Sequence, residues 1–126
     1  FSQQAISQRI SVILNDIKFN IKGIFIGGFS QGGMMTLHNN YNEKVDGLII
    51  LGSQLFYENK EFNLKKKTKI FMSHGTYDQV IPIMGSTQTL NFLRKKGFSV
   101  DYKEYPIGHE ISLDQINELN NWIDKI

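Results

Sequence analysis

Hydrophobic residues recur along this chain in two spacings, one typical of amphipathic helices and one typical of buried strands. Near the amino end, Ile6, Ile10 and Leu14 follow one another at intervals of four, which places them on one face of a helix. Short runs such as Ile24-Phe25-Ile26 are instead continuous and rich in β-branched and aromatic residues. Runs of that kind are typical of strands buried on both sides.

The predicted elements alternate in type. Helices are predicted over residues 2–16, 31–40, 85–96 and 113–123. Strands are predicted over residues 22–27, 45–51, 69–73 and 99–105, and the aperiodic segment 52–67 is predicted to be a loop. Strands separated by helices pair in parallel through right-handed crossovers. We therefore expect an α/β fold with about four parallel strands and flanking helices.

Composition narrows the class of protein. The 126 residues, 40% hydrophobic and 21% charged, describe one soluble globular domain with a buried core. The absence of cysteine excludes disulfides, thiolate zinc sites and a cysteine nucleophile, and it fits a reducing, cytoplasmic compartment. A net charge of +2 gives no reason to expect nucleic acid or an anionic membrane as a partner. The longest apolar run, 47–52, is far shorter than the roughly 20 residues that cross a bilayer, and no signal-peptide pattern opens the chain.

A Gly28-Phe29-Ser30-Gln31-Gly32 segment lies between the first predicted strand and the helix that follows it. This is the G-x-S-x-G pattern of a nucleophile elbow, a turn so tight that the residues two before and two after the serine are expected to have to lack a side chain. The backbone N–H of Gln31 is then a candidate oxyanion donor. A capped strand-to-helix turn and a phosphate-binding turn are the alternatives, although the further glycines or Gly-Lys-Ser/Thr of a phosphate loop are missing.

A serine nucleophile requires a base and an orienting carboxylate. Asp78 follows the third predicted strand and His109 follows the fourth, so both lie at the carboxyl edge of the sheet with Ser30. The order Ser, Asp, His is the one found in α/β-hydrolases. His38, inside a predicted helix, and His74, which we expect to shape the loop after the third strand, are better explained as structural.

Three segments together carry a resemblance to a known family. They are 27–33 around Ser30, 74–82 around Asp78 and 105–109 ending in His109. They resemble the signature segments of the carboxylesterase, lysophospholipase and acyl-protein thioesterase family of α/β-hydrolases, and the resemblance covers nearly the whole chain.

The resemblance implies a role for each matching residue. Ser30 becomes the nucleophile, His109 the general base and acid, Asp78 its orienter, and Gln31 an oxyanion donor. The implied substrate is a small acyl ester or thioester, or an acylated protein. Neither a metal nor a cofactor is implied, and the oligomeric state is not predicted.

The resemblance fails at the amino end. Family members have further strands before the elbow and a His-Gly loop that supplies the second oxyanion N–H. We therefore expect residues 1–126 to form a single, partial hydrolase domain, either the C-terminal half of a larger protein or a truncated product. Truncation would weaken the site, because loss of one oxyanion donor typically costs about 10² to 10³ in rate.

Two questions stay open at the level of the sequence. One is whether the chain is an ester or thioester hydrolase, a related serine peptidase, or a catalytically inactive fragment or binding module. The other concerns four hydrophobic side chains of the 52–67 loop, which line an acyl pocket or simply cover the sheet. These are Phe56, Tyr57, Phe62 and Leu64.

Overall fold

The computed structural model describes residues 23–38, 41, 44–55, 64, 65 and 67–126. The helix predicted over 2–16 lies outside the described residues. Every other predicted helix and strand has a counterpart in the part that is described.

In the described part of the chain, four parallel strands form one sheet in the order β1-β2-β3-β4. The strands are β1 (Phe25–Phe29), β2 (Gly47–Leu51), β3 (Lys69–Gly75) and β4 (Val100–Tyr105). Each pairs in parallel with its neighbour in the chain, so the predicted α/β fold is confirmed. Because all strands run in one direction, their carboxyl ends meet at the same edge of the sheet.

The predicted stop of the first strand at Gly27 is wrong. The strand continues through both glycines to Phe29, where it pairs with Leu51 of β2. A Cβ on Gly27 would lie 2.6 Å from the Cβ of Ile49, so the missing side chain lets the neighbouring strand approach. The glycines therefore belong to the strand, and the turn comes after them.

The described residues form three helices against the sheet: α1 (Gln31–His38), α2 (Ile83–Lys95) and α3 (Leu113–Asp124). Helix α2 begins two residues before the predicted Gly85, directly after Pro82, whose φ of −56° already suits a helical start. Helix α3 begins with a capping box, in which Gln115 N–H donates to Ser112 Oγ (3.2 Å) and Ser112 N–H donates to Gln115 Oε1 (2.7 Å).

The two faces of the sheet bury different side chains. One face packs against α1 and α2, and its cluster joins Leu37 and Leu93 to Ile70 and Met72. On the opposite face Phe71 and Leu51 pack with Trp122 of α3, as the alternation of side chains along a strand requires. Among the described residues, no helix is long and apolar enough to span a membrane.

Candidate active site

Ser30 lies on the sharp turn between β1 and α1. Its φ of 57° is left-handed, which is uncommon for a residue with a side chain and costs of order 1 to 3 kcal/mol. Surrounding hydrogen bonds hold this conformation: Ser30 N–H donates to the Leu51 carbonyl (2.9 Å), and the Ser30 carbonyl accepts from Ser53 Oγ (2.7 Å) and Met34 N–H (3.2 Å). The turn is therefore fixed from both sides.

Only one of the two flanking glycines is sterically required. A Cβ on Gly28 would overlap the carbonyl group of Gly32, so the chain crosses itself there without room for a side chain. A Cβ on Gly32 would meet nothing within 4 Å. The expectation that both positions must lack a side chain is thus wrong for Gly32, while Gly33 is tight, with a Cβ 2.6 Å from that of Ser53.

His109 lies in the loop between β4 and α3. Its Nε2 is 3.0 Å from Ser30 Oγ and its Nδ1 is 2.7 Å from Asp78 Oδ2. A backbone bond from Tyr77 N–H to the Ile107 carbonyl (3.0 Å) joins this loop to the one that carries Asp78. The structure thus brings together the three side chains that the sequence singled out.

Asp78 is buried, with its side chain 1% exposed, and each carboxylate oxygen is hydrogen-bonded. Oδ2 accepts from His109, while Oδ1 accepts from the N–H groups of Val80 (2.9 Å) and Ile81 (2.8 Å). Burial raises the pKa of Asp78, but the hydrogen bonds from His109, Ile81 and Val80 outweigh it and bring the pKa below its ordinary value of 3.8. Asp78 is therefore ionised at neutral pH.

This charge fixes the proton on the neighbouring imidazole. An ionised carboxylate can only accept hydrogen bonds, so Nδ1 of His109 carries a proton, and the neutral form of the ring then presents Nε2 as the acceptor for Ser30 Oγ–H. The arrangement can remove a proton from the serine hydroxyl and return it to a different atom.

His74 supports the Asp78 turn from within the core. Its imidazole is fully buried; Nε2–H donates to the Ile81 carbonyl (2.7 Å) and lies 3.4 Å from Asp78 Oδ2. This agrees with its predicted role in shaping the loop. The other predicted structural histidine, His38, ends α1, and burial lowers its pKa.

Gln31 is the first residue of α1. Its N–H is one of the amides at a helix start that have no intrahelical partner, and it directly follows Ser30. Of the four loop side chains, Phe56, Tyr57 and Phe62 lie outside the described residues. Leu64 packs against the core cluster on the α1 and α2 face, which favours the alternative that it covers the sheet.

Three contacts of the site were not anticipated from the sequence. The Phe29 ring lies against the His109 imidazole, Ser53 donates to the Ser30 carbonyl, and Gln115 Nε2 donates to Ser73 Oγ (2.8 Å). The Ser-x-x-Gln spacing at 112–115 was a usable signal for the helix cap, but it carries no information about the bond to Ser73. Within the described ranges, no group of three or more His, Cys, Asp or Glu residues is placed to hold a metal ion.

The parallel sheet, the serine on a left-handed turn after β1, and the hydrogen-bonded Ser, His and Asp at one sheet edge define an α/β-hydrolase. Comparison with known proteins gives the family. The sequence profile of the phospholipase/carboxylesterase family matches residues 2–126, and the chain belongs to that family.

Individual relatives agree with this assignment. The chain is 36% identical over 111 residues to acyl-protein thioesterase 1 of Neurospora crassa, covering 79% of this chain and 44% of the relative. It is 31% identical to carboxylesterase SOBER1 of Arabidopsis thaliana, covering 84% of this chain and 50% of the relative. The crystal structure of SOBER1 superposes with a TM-score of 0.87 and 28% identity over 98% of this chain and 61% of that one.

The chain spans about half the length of these two curated relatives. A probable inactive carboxylesterase of Oryza sativa is also similar, with 27% identity over 85% of this chain and 46% of that protein. Membership of the family therefore does not by itself establish turnover.

Proposed function

We propose that this protein is a serine hydrolase that cleaves carboxylic esters or thioesters through an acyl-enzyme on Ser30. The observation that carries the proposal is the unbroken hydrogen-bonded path from Ser30 Oγ through the His109 ring to Asp78. Each distance is within hydrogen-bonding range, and the ionised carboxylate selects the tautomer of His109 that accepts from serine.

Acylation begins when Ser30 Oγ attacks the carbonyl carbon of the substrate while His109 Nε2 takes the hydroxyl proton. The carbonyl oxygen becomes an oxyanion, which accepts a hydrogen bond from Gln31 N–H. Collapse of this intermediate breaks the C–O or C–S bond, and the leaving group takes the proton from Nε2. The acyl group remains as an ester on Ser30.

Deacylation repeats these steps with water. His109 Nε2 takes a proton from the water as its oxygen attacks the acyl carbon, and then returns that proton to Ser30 Oγ. The carboxylic acid leaves and the serine is restored. Asp78 stays ionised throughout, holding Nδ1–H and stabilising the imidazolium formed in each half-reaction.

The oxyanion site needs a second donor. In the family that the sequence resembles, this N–H comes from a His-Gly loop that precedes the elbow. The rate that we propose depends on this second donor, because the loss of one oxyanion donor typically costs about 10² to 10³ in rate.

The substrate class is proposed from the relatives. One is named an acyl-protein thioesterase and another a carboxylesterase, both of which act on an acyl carbon bearing an oxygen or sulfur leaving group. A serine peptidase would use the same three residues. Initial rates on a p-nitrophenyl ester, an acyl thioester and a dipeptide should separate these classes, with turnover of the first two and none of the dipeptide.

A fluorophosphonate probe tests the nucleophile. We expect the full-length protein to be labelled, and Ser30→Ala to abolish labelling without loss of folding. Ser99→Ala, which changes an exposed serine directly before β4, is the matched control and should be labelled like the wild type. Equal labelling of Ser30→Ala and wild type would refute the role of Ser30.

The second candidate is a catalytically inactive family member, favoured by the similarity to a relative of that description. It predicts that the folded full-length protein takes up no probe and hydrolyses none of the three substrates. The labelling experiment therefore decides between the two candidates.

A further inference from the structure

Phe29, the variable residue just before Ser30 in the elbow, lies against the His109 imidazole. The two ring centroids are 4.7 Å apart and the ring planes are inclined by 33°, closer to stacked than to perpendicular. Phe29 also packs against the core cluster of Leu51, Phe71 and Trp122, which holds its ring in place. The contact is thus with the face of a fixed aromatic ring.

Gly52, directly after β2, has no side chain and so leaves room for the rings of Phe29 and His109. Gly52 has a left-handed φ of 56°, and a Cβ there would lie 2.8 Å from Phe29 Cε2 and 3.8 Å from His109 Cε1. A side chain at Gly52 would therefore push Phe29 away from its position. This contact therefore joins three parts of the chain: the elbow, the residue after β2 and the loop that carries His109.

An aromatic face attracts positive charge, because the π electrons give it a negative potential. In the proposed mechanism His109 becomes an imidazolium when it takes the Ser30 proton. Phe29 carries no charge, so its stabilisation of the imidazolium is separate from that of the ionisable groups around His109. Those on the elements that meet here are Ser30, His74, Tyr77, Asp78 and Glu110.

We propose that Phe29 is a positioning residue that holds the His109 ring and stabilises its protonated form through the face of the phenyl ring. The consequence for catalysis rests on the proposed function, since only a His109 that takes the serine proton benefits from this stabilisation. The contact itself does not depend on turnover.

Fluorinated phenylalanines test whether the Phe29 ring stabilises the imidazolium electrostatically, because they leave the shape of the ring nearly unchanged. Successive fluorines remove the negative potential of the face while leaving its packing nearly unchanged. We would place 4-fluoro-, 3,5-difluoro- and 3,4,5-trifluorophenylalanine at position 29 and follow the His109 Cε1–H NMR signal against pH. Since the chain has three histidines, His109→Gln identifies the signal.

The pKa of His109 should fall stepwise across this series, by roughly half a pH unit at the trifluoro variant. The same substitution at Phe98, in the core cluster of the opposite face, is the matched control and should leave the titration unchanged. Phe29→Leu should lower the His109 pKa similarly and reduce kcat by about two- to fivefold. A pKa that stays constant across the fluorinated series would overturn the proposal.

The outcomes separate this proposal from the proposed function. A stepwise fall in pKa in a protein that takes up no fluorophosphonate supports the contact and refutes the hydrolase. Normal labelling of Ser30 with an unchanged pKa supports the hydrolase and refutes the role of Phe29.

Discussion

At the scale of single residues, the site depends on one buried charge. Asp78 is held ionised by three hydrogen-bond donors, and this charge determines that Nδ1 of His109, the nitrogen facing away from Ser30, carries a proton. A neutral side chain of the same shape would keep the fold but could also donate to Nδ1, which favours the wrong tautomer. The charge of Asp78 is therefore expected to matter more than its volume.

Asp78→Asn should lower kcat by on the order of 10⁴-fold for that reason. The measurement is steady-state hydrolysis of a p-nitrophenyl ester by the full-length protein at pH 7. Asp101→Asn, an exposed acid on β4, is the control and should keep wild-type activity. Retention of more than about a tenth of the activity in Asp78→Asn would contradict the assigned role of the carboxylate.

The same carboxylate links stability to pH. Its pKa is lower in the folded than in the unfolded chain, so its contribution is complete above the unfolded value of 3.8 and is lost as the pH falls through the folded value. Thermal melts from about pH 5 to about pH 2 should therefore fall less steeply for Asp78→Asn than for wild type. Parallel curves for the two proteins would refute this linkage.

The two glycines that flank Ser30 in the elbow should differ in how far a side chain destabilises the fold, so one serves as a control for the other. Gly28→Ala places a Cβ into the Gly32 carbonyl and should destabilise the fold by about 1 to 3 kcal/mol or prevent folding. Gly32→Ala meets open space inside a helix, where alanine is preferred to glycine, and should be neutral or slightly stabilising. Chemical denaturation of both variants checks this, and equal destabilisation would show that the turn is packed differently.

At the scale of elements, the start of α3 is attached to the sheet by a buried side chain. Gln115 is 2% exposed; it completes the capping box with Ser112 and donates to Ser73 Oγ on β3. Ser112 lies three residues after His109. The cap and the bond to Ser73 therefore define where the His109 loop ends relative to β3.

Gln115→Ala should cost about 1 to 3 kcal/mol of stability, because it leaves a buried hydroxyl on Ser73 without this partner and removes half of the capping box. Gln88→Ala, on the exposed side of α2, is the matched control. Urea denaturation of Gln115→Ala, Ser73→Ala and the double variant should show that the two losses are not additive. Strict additivity would mean that the Gln115 to Ser73 bond contributes nothing.

At the scale of the whole molecule, a parallel sheet explains how residues far apart in the chain meet. Ser30, Asp78 and His109 each follow a strand, and the parallel pairing of β1 to β4 brings those strand ends to one edge. The order and type of the elements were therefore enough to predict the fold, and together with the G-x-S-x-G motif they predicted that Ser30, Asp78 and His109 lie at one edge.

The remaining features depend on tertiary packing. The extension of β1 through Gly27 reflects the close approach of Ile49, which no local pattern encodes. Phe29 occupies a variable position of the motif, so nothing in the sequence distinguishes it until the His109 loop folds back onto it. Likewise, the approach of Gln115 to Ser73 requires that α3 be docked on the sheet.

The central claim is that an acyl group is transferred to Ser30, and one measurement tests it most directly. The full-length protein would be mixed with p-nitrophenyl acetate, quenched in acid during turnover and analysed by peptide mass spectrometry. We expect an acetyl group on the peptide containing Ser30, present in wild type and absent in His109→Gln. Hydrolysis of the ester with no adduct on Ser30, or an adduct on another residue alone, would contradict the account.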